Sequence, residues 1–545
     1  MDVPEVNLRR SERERKPNSR LLNFITGSRA YNTNSRKNDM PMSFDDIFGR
    51  PDTKEWIAAV DAELHSMSKN NVWQIVQIPP SSKLLKSRWV FTIKVDADGN
   101  PTRYKARLVV KGFLQKYGID YTETYAPVAK LTTIRVVLAV GVYHNYKFHQ
   151  LDIKTAFLHG RLKEDIYMAV PDGVKIDDGN ACKLLRSLYG LKQSPRCWNE
   201  EFNSYLESLS FKRSRHDYCL YTKIDGKQFI VLILYVDDIL MTGSDEKAIE
   251  NLKKELSSRF DMSDCGELKY FLGMKIERNE KSLQISQAAS IEKFLEKFGL
   301  KDCNTVKTPM EKGLQLEIEK ETKTDKPYRE LLGSMMYIML CCRPDICYNV
   351  SYMGRFQQES TDTHFQHLKR IARYLKATKD MKLEFKGHSK IPLVGYVDSD
   401  WASDTNDRKS TSGFIFQVYG STVAWSSKKQ TTVATSSSEA EYVSLSAGVQ
   451  EAIWLRGIME DLHQIENEAT TIYEDNHGCI GMAKNCESKR AKHIDIKHHF
   501  IRDHVANGNI QIEAIKSEEQ LADLFTKSLD TSRYITLRNM IGIIN

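Results

Sequence analysis

Apolar and polar positions along the chain repeat with two periods, and each period marks an element. In "SFDDIFGRPDTKEWIAAVDAELHSM", Trp56, Ala59, Val60 and Leu64 recur at helical spacing behind residues suited to cap a helix. "SRWVFTIKVDADGNPTRYKARLVVKGF" reads as two strands joined by a turn at Asp98-Gly99-Asn100, and its period of two puts Arg103, Lys105 and Arg107 on one face. That face is either solvated or suited to hold phosphate. Helical period returns in "DEKAIENLKKELSSRF" and, after a charged run from Glu311 to Lys326, across Tyr328 to about Lys379. From Ile391 the pattern becomes three strands, a helix, a strand, a helix, a strand and a last helix, an α/β layer order.

One stretch breaks the pattern. "FIVLILYVDDILMTG", Phe229 to Gly243, is apolar on both sides of Asp237 and Asp238. A carboxylate in apolar surroundings costs several kcal/mol unless it is paired, hydrogen-bonded or bound to a metal. Two readings follow. The doublet is a plain turn between strands, where Asp is common, or it is a turn that presents two carboxylates to a divalent cation, which requires further acids nearby. The apolar run is less than half of the roughly 20 residues a membrane span needs.

Composition narrows the choice. A chain of 545 residues has room for two to four domains, and 41% apolar, 28% charged and 10% aromatic residues exclude a chain disordered throughout. The ten cysteines form no CxxC pair, so neither a zinc module nor a secreted disulfide framework is indicated, and a reducing interior is expected. The first forty residues are polar and offer no secretory segment. Net charge is +7, and between Arg9 and Lys37 nine Lys or Arg face only Glu12 and Glu14. "LRRSERERKPNSR" therefore reads as a disordered basic arm, either a solvated linker or a nucleic-acid contact.

Further acids are present in two sets. Asp152 ends an apparent strand in "HQLDIKTAFLHG", and with Asp237 and Asp238 it makes three carboxylates from two strands, enough to hold two Mg²⁺ ions for phosphoryl transfer. In the C-terminal block Asp398 and Asp475 end the first and fourth strands, and Glu441 and Asp523 lie in helical segments. Each has a plainer reading: Ser438 and Glu441 fit a capping box, Asp475 fits a helix cap, and Asp400 and Glu439 compete for two of the places. Residues two apart on a helix point about 200° away from each other, so only one of Glu439 and Glu441 can face a shared site.

"RYKARLVVKGF", "GIDYTETYAPVA", "QLDIKTAFLHG", "LYGLKQSPRCW" and "YVDD", in this order, closely resemble the reverse transcriptase of copia-type LTR retrotransposons, over most of Trp56 to Lys379. "DWASDTNDRKSTSGF", "WSSKKQTTVATSSSEAEY" and "KHIDIKHHFIRD" resemble the ribonuclease H domain of the same Pol polyproteins, through almost all of Ile391 to Leu529. The resemblance implies an α+β right-hand polymerase with fingers, palm and thumb, followed by an α/β ribonuclease H-like domain. Its expected divisions are a basic disordered arm (1–50), fingers and palm (51–308), thumb and connection helices (309–390), the ribonuclease H-like domain (391–530) and a C-terminal tail (531–545). The implied activities are RNA- and DNA-directed DNA polymerase and ribonuclease H on RNA:DNA hybrids, in retrotransposon replication.

Carried over residue by residue, the resemblance puts Asp152, Asp237 and Asp238 on the polymerase metal ligands. Phe157 falls where the family keeps an aromatic that excludes a ribose 2′-OH, and Lys105 and Arg107 fall on the strand that holds the incoming triphosphate. Gly190 and Gln193 lie in the turn that supports nucleotide and template, and Tyr270 to Glu277 matches the element that grips the primer end. Asp398, Glu441, Asp475 and Asp523 fall on the ribonuclease ligands; Asp400 is expected beside them and Glu439 in solvent near the helix start. The implied cofactor is Mg²⁺, two ions per active site, with Mn²⁺ as a substitute. The implied partners are an RNA template, a DNA primer, an RNA:DNA hybrid and deoxynucleoside triphosphates, with no membrane and with dimerisation open. The implied location is the cytoplasm, in virus-like particles, with the nucleus as the alternative. His493, His498 and His499 fit no standard zinc spacing and read as hybrid contact or structure. The chain reads as the C-terminal part of a polyprotein or as a truncated element with its own Met1. The competing function is a truncated or domesticated copy that binds nucleic acid without catalysis; seven intact acids weigh against long decay.

Overall fold

The computed structural model describes residues 40–80, 82–95, 101–226, 228–317, 323–465, 468–484 and 495–545. Residues 1–39 of the basic arm, the turn at 98–100 and His493 lie outside them; residues 40–50, expected within the disordered arm, instead carry a 3₁₀ turn (Asp45–Ile47) whose Ile47 is buried. Along the chain come α1 (Thr53–Lys69), β1 (Trp73–Gln77), β2 (Leu84–Leu85), β3 (Ser87–Val95) and β4 (Pro101–Val110), then α2 (Leu131–Tyr143) and β5 (Phe148–Ile153). There follow β6 (Arg161–Met168), β7 (Asn180–Arg186), α3 (Ser194–Ser208), β8 (Lys212–Arg213), β9 (Leu220–Asp225), β10 (Gln228–Tyr235), β11 (Asp238–Gly243), α4 (Glu246–Arg259) and β12 (Met262–Glu267). Next are β13 (Tyr270–Phe271), β14 (Met274–Arg278), β15 (Leu283–Ser286), α5 (Ala288–Lys297), α6 (Tyr328–Cys341), α7 (Cys347–Met353), α8 (Asp362–Ala377) and β16 (Lys382–Phe385). The C-terminal part holds β17 (Leu393–Ser399), β18 (Thr411–Val418), β19 (Ser421–Lys429), α9 (Ser437–Asp461), β20 (Thr470–Glu474), α10 (His477–Lys484), α11 (Asp495–Ala506), β21 (Ile510–Ala514), α12 (Thr531–Met540) and β22 (Ile543–Ile544).

The chain divides into two units, one of residues up to Val60 with Trp89–Arg107, the other of Asp61–Arg88 with Leu108–Asn545. In the first, the paired strands β3 and β4 close on Trp56, whose buried ring meets Phe91 and Tyr104 edge-on at 5.2 and 4.8 Å. Arg103, Lys105 and Arg107 fall on the less buried face of β4, as period two predicts.

In the second unit a six-stranded central sheet runs in the order β12-β5-β11-β10-β9-β8. It is buried on both faces. Along β10, Ile230, Leu232 and Leu234 enter a core with Trp198 and Phe202 of α3 and Leu252 and Leu256 of α4. Val231 and Ile233, between them, enter a different core with Val136, Val137 and Val140 of α2. Double burial is why "FIVLILY" reads as an unbroken apolar run instead of an alternation.

The C-terminal sheet has the order β19-β18-β17-β20-β21, antiparallel among the first three and parallel from β17 through β20 to β21. It shares its core with α2. Arg135 is buried in that core, stacks on Trp425 at 3.9 Å and donates to the carbonyls of Val423 and Leu340, each at 2.7 Å. Residues after 530, expected as a tail, instead form α12 and β22. Ile543 of β22 pairs with Leu383 of β16 at the edge of a sheet that continues through β15 and β14 to β13. The short apolar run "IGIIN" finds a neighbouring edge to cover. Among the described residues no helix is long and apolar enough to cross a membrane.

Candidate functional site

Tyr235 pairs with Asp238, which leaves Val236 and Asp237 as a two-residue turn between β10 and β11. Val236 has φ +59°, a conformation that a β-branched side chain resists and that glycine usually fills. The turn is pinned from two sides. Trp198 Nε1 donates to the Val236 carbonyl at 2.6 Å, and the Asp237 carbonyl accepts from Ile153 N–H at 2.8 Å. Backbone strain held in place by surrounding bonds is a feature of functional turns. Asp238 stands directly opposite Asp152 of β5, so both side chains leave one face of the sheet. Gln150, on the same face, donates to Asp238 Oδ1 at 3.3 Å. The doublet is thus a turn that sets Asp238 opposite Asp152 and Asp237 at its tip, and the three carboxylates do not bring ligand atoms within 4.8 Å of one another. Sequence reasoning missed Cys265 on β12, whose thiol is pushed upward by partial burial and then by the charges of Asp152, Asp238 and Asp264.

The other residues expected at this site are placed differently from one another. Phe157 follows Asp152 on a short 3₁₀ turn (Ala156–His159), half-buried, with its ring edge-on to Tyr189 at 5.2 Å. Gly190 has φ +95°, and a Cβ there would lie 2.1 Å from the Val110 carbonyl oxygen, so only glycine lets this loop close on the end of β4. Gln193 differs from the expectation of a nucleotide contact: it is buried, donates to the Asp120 carbonyl at 2.9 Å and accepts from Gln115 at 3.0 Å. Its amide is used in holding one loop to another. Lys105 and Arg107 lie on β4 in the first unit.

The C-terminal acids converge. β17 and β20 run parallel with Tyr396 beside Tyr473, so Asp398 and Asp475, two residues further along each, leave neighbouring strand ends. α9 crosses β17 closely because Gly448 faces Val397, where a Cβ would come within 2.5 Å of Cγ2. Ser444, one turn earlier, donates to the Asp398 carbonyl at 2.7 Å, and Glu441 stands on that same face. Among the described residues, Asp398, Glu441 and Asp475 alone bring three ligand atoms within 4.8 Å of one another.

Asp523, the fourth expected ligand, stands outside that triad, on a 3₁₀ turn (Leu521–Phe525). It is paired with Lys527 at 2.6 Å and with Arg533 at 3.3 Å. Asp400 does not join either; its Oδ1 accepts from Ser403 N–H at 3.4 Å. The cap of α9 also differs from the expected one. Ser436 is the N-cap, and Glu439 is buried instead of solvent-facing, accepting from Thr435 N–H at 2.8 Å and Oγ1 at 2.5 Å. The helical period correctly separated Glu439 from Glu441 but gave no sign that the loop before the helix folds over it. Sequence reasoning missed Glu474, fully buried beside Glu441, although alternation along β20 places it on the inward face. Of the histidine cluster, His499 is exposed on α11.

Burial, followed by neighbouring negative charge, raises the proton affinity of three acids here, Asp398, Glu441 and Glu474. Burial, opposed by Lys527 and aided by Asp523, pushes Asp398 up to about 7. Burial and then Glu474 and Asp398 push Glu441 upward, and Glu474 is raised by burial as well. Glu441 Oε2 is buried with no hydrogen-bond partner. An all-oxygen set with an unsatisfied buried carboxylate oxygen suits a hard divalent cation.

A reverse transcriptase (RNA-dependent DNA polymerase) family model matches residues 70–312, the stretch that contains Asp152, Asp237 and Asp238. The fold of that part is therefore that of a reverse transcriptase polymerase. The chain is 39% identical over 517 residues to the retrovirus-related Pol polyprotein from transposon TNT 1-94 of Nicotiana tabacum, covering 92% of this chain and 39% of that one. It is 38% identical over 496 residues to the Pol polyprotein from transposon RE1 of Arabidopsis thaliana, covering 90% and 34%. A putative transposon Ty5-1 protein of Saccharomyces cerevisiae is 31% identical over 308 residues, 55% of this chain and 100% of its own length. The chain belongs to the reverse transcriptase family of copia-type transposon Pol polyproteins, and it spans little more than a third of the two plant relatives.

Proposed function

We propose that the chain is an RNA- and DNA-directed DNA polymerase joined to a ribonuclease H that acts on RNA:DNA hybrids, working in retrotransposon replication. The observation that carries the second activity is the convergence of Asp398, Glu441 and Asp475 at one edge of a five-stranded mixed sheet. We read β17 to β21 with their helices as a ribonuclease H-like domain, the central sheet as the palm, and β3 with β4 as part of the fingers. A polymerase that copies RNA leaves a hybrid whose RNA must be removed, so each activity accounts for the other.

In this reading Asp152, Asp237 and Asp238 hold divalent cations, for which Mg²⁺ is the proposed ion and Mn²⁺ the substitute. Asp398, Glu441, Asp475 and Asp523 do the same at the second site. The cations supply charge neutralisation on the reacting phosphate and a lowered pKa for an attacking oxygen. The protein's own residues do the rest. The strained Val236-Asp237 turn fixes Asp238 opposite Asp152 with Asp237 at the turn tip, the Phe157 ring closes the space beside the sugar 2′ position, and Lys105 and Arg107 neutralise triphosphate oxygens. At the second site Ser444 holds the Asp398 backbone and so keeps Asp398 and Glu441 in register. The proposed partners are an RNA template, a DNA primer, deoxynucleotides and the hybrid, and the proposed location is the cytoplasm.

Primer extension on an RNA template and cleavage of a labelled hybrid test this directly. Asp237→Asn should abolish extension and spare cleavage, and Glu441→Gln should do the reverse. Nucleic-acid binding with neither activity in the unsubstituted chain would favour the domesticated-copy reading.

A further inference from the structure

The cation nearest the C-terminal acids is one that no motif singled out. Lys527 Nζ lies 2.6 Å from Asp523 Oδ1 and 3.5 Å from Asp398 Oδ2, and so touches one member of the triad and the acid that stands outside it. Among the described residues Glu441 and Asp475 form no direct ion pair, although the Lys527 charge reaches both: Asp475 accepts from Ser517 Oγ at 2.8 Å, and Glu441 Oε2 is buried without a hydrogen bond. Lys527 therefore stands against Asp398 and Asp523 and out of direct contact with Glu441 and Asp475, although Asp398 belongs with those two to the converging triad. Arg533 also pairs with Asp523, at 3.3 Å, while Thr526 Oγ1 donates to Asp398 Oδ2. Lys527 is held by the fold, because it follows the 3₁₀ turn that carries Asp523 and sits four residues after it.

We propose that Lys527 is a built-in competitor for one of the two divalent cations of the ribonuclease site, and that it makes the two cation sites unequal in affinity. The proposal rests on the ribonuclease reading given above. A single ammonium and a divalent cation cannot both sit between Asp398 and Asp523, since like charges a few ångströms apart repel strongly in a partly buried setting. Binding on the Glu441–Asp475 side displaces no resident charge. Binding on the Asp398–Asp523 side requires Lys527 to swing out, and its half-exposed side chain has solvent to swing into. Lys527 is thus a positioning residue that sets how much cation the second step needs.

Mn²⁺ titration by calorimetry tests this on the full chain in a background carrying Asp152→Asn, Asp237→Asn and Asp238→Asn, which removes the three polymerase acids. The expected result is two binding steps at least tenfold apart. Lys527→Met should tighten the weaker step about tenfold or more and leave the stronger one in place, while Lys527→Arg should keep the wild-type gap. The Mn²⁺ concentration for half-maximal hybrid cleavage should fall in parallel in Lys527→Met. If Asp398→Asn removes Mn²⁺ binding but Lys527→Met leaves the weaker step unchanged, the role of Lys527 is overturned and the ribonuclease reading stands. If no Mn²⁺ uptake depends on Asp398, the ribonuclease reading itself falls, and the proposal with it.

Discussion

At the scale of single residues, the C-terminal acids are held where burial sets their proton affinity. The proton affinity of Asp398 in the folded chain is raised from its ordinary 3.8 to about 7. The folded state thus holds this proton more tightly than the unfolded one, and its contribution to stability is full below about pH 4 and lost as pH rises to about 7. Without divalent ions, melting temperature should fall across that window, and Asp398→Asn should flatten the fall while abolishing hybrid cleavage; scanning calorimetry at pH 5 and pH 8 measures both. An unchanged slope in the variant would mean that other groups set the pH dependence. Glu439→Ala should keep cleavage but cost about 1 kcal/mol, because it removes the acceptor for Thr435 near the start of α9. Phe157→Ala should raise ribonucleotide incorporation relative to deoxynucleotide, read from extension with each substrate, and an unchanged ratio would mark the ring as packing against Tyr189 and nothing more. Strand ends and helical period are local properties and narrowed the C-terminal acids to a few candidates, but the choice of Asp398 over Asp400, and of Glu441 over Glu439, came from the resemblance to the family. The sequence left Gln193, Glu439 and Lys527 obscure because their surroundings come from loops distant in the chain, such as the Gln115–Asp120 segment around Gln193.

At the scale of elements, what positions Glu441 is less the helix than the glycine that lets it approach the sheet. Gly448→Ala would push a methyl group to 2.5 Å from Val397 Cγ2, and neither the strand nor the 25-residue helix α9 can give way without shifting its neighbours. Overpacking of this kind costs about 1–3 kcal/mol. Hybrid cleavage should drop well beyond what the lost stability explains at a temperature where the variant is folded, since Glu441 rides on the displaced helix. Full cleavage activity in a folded Gly448→Ala variant would show that the helix is free to tilt. Period and length sufficed to read α4, α6 and α8 from the sequence, and the order of elements after Ile391 follows the expected pattern except that two helices, α10 and α11, stand between β20 and β21 and the segment around Asp523 is a 3₁₀ turn. The helix α2 did not announce itself, because residues 133–142 are all buried and a helix apolar on every side has no stripe to detect. β22 was missed for a related reason: two residues are too few to show a period, and their strand character comes from the exposed edge of β16 that they cover.

At the scale of the whole chain, the two sets of acids lie in the same compact unit. One buried core runs from α2 and the central sheet through α6 to α8 and into the C-terminal sheet and α9 without interruption. Polar contacts cross at the same place. Tyr143 stacks on Tyr419 at 3.7 Å, Ser214 and His216 both meet Asp461, and Trp454 donates to the His216 carbonyl at 2.9 Å. Arg135 is buried among these links, and it serves three carbonyls, those of Val423, Leu340 and Cys341. Arg135→Met keeps most of the side-chain volume but leaves those carbonyls without their donor, at a cost of about 2–4 kcal/mol. The loss should fall on both activities together. In a urea series, primer extension and hybrid cleavage should disappear over the same range of concentration in the unsubstituted chain, and over one shared lower range in Arg135→Met. Two modules joined by a passive linker would instead lose their activities at separate midpoints, and the substitution would move only the one whose carbonyls it strands. A split of that kind would show that the continuous core does not couple the two sites, however closely α2 packs against Trp425.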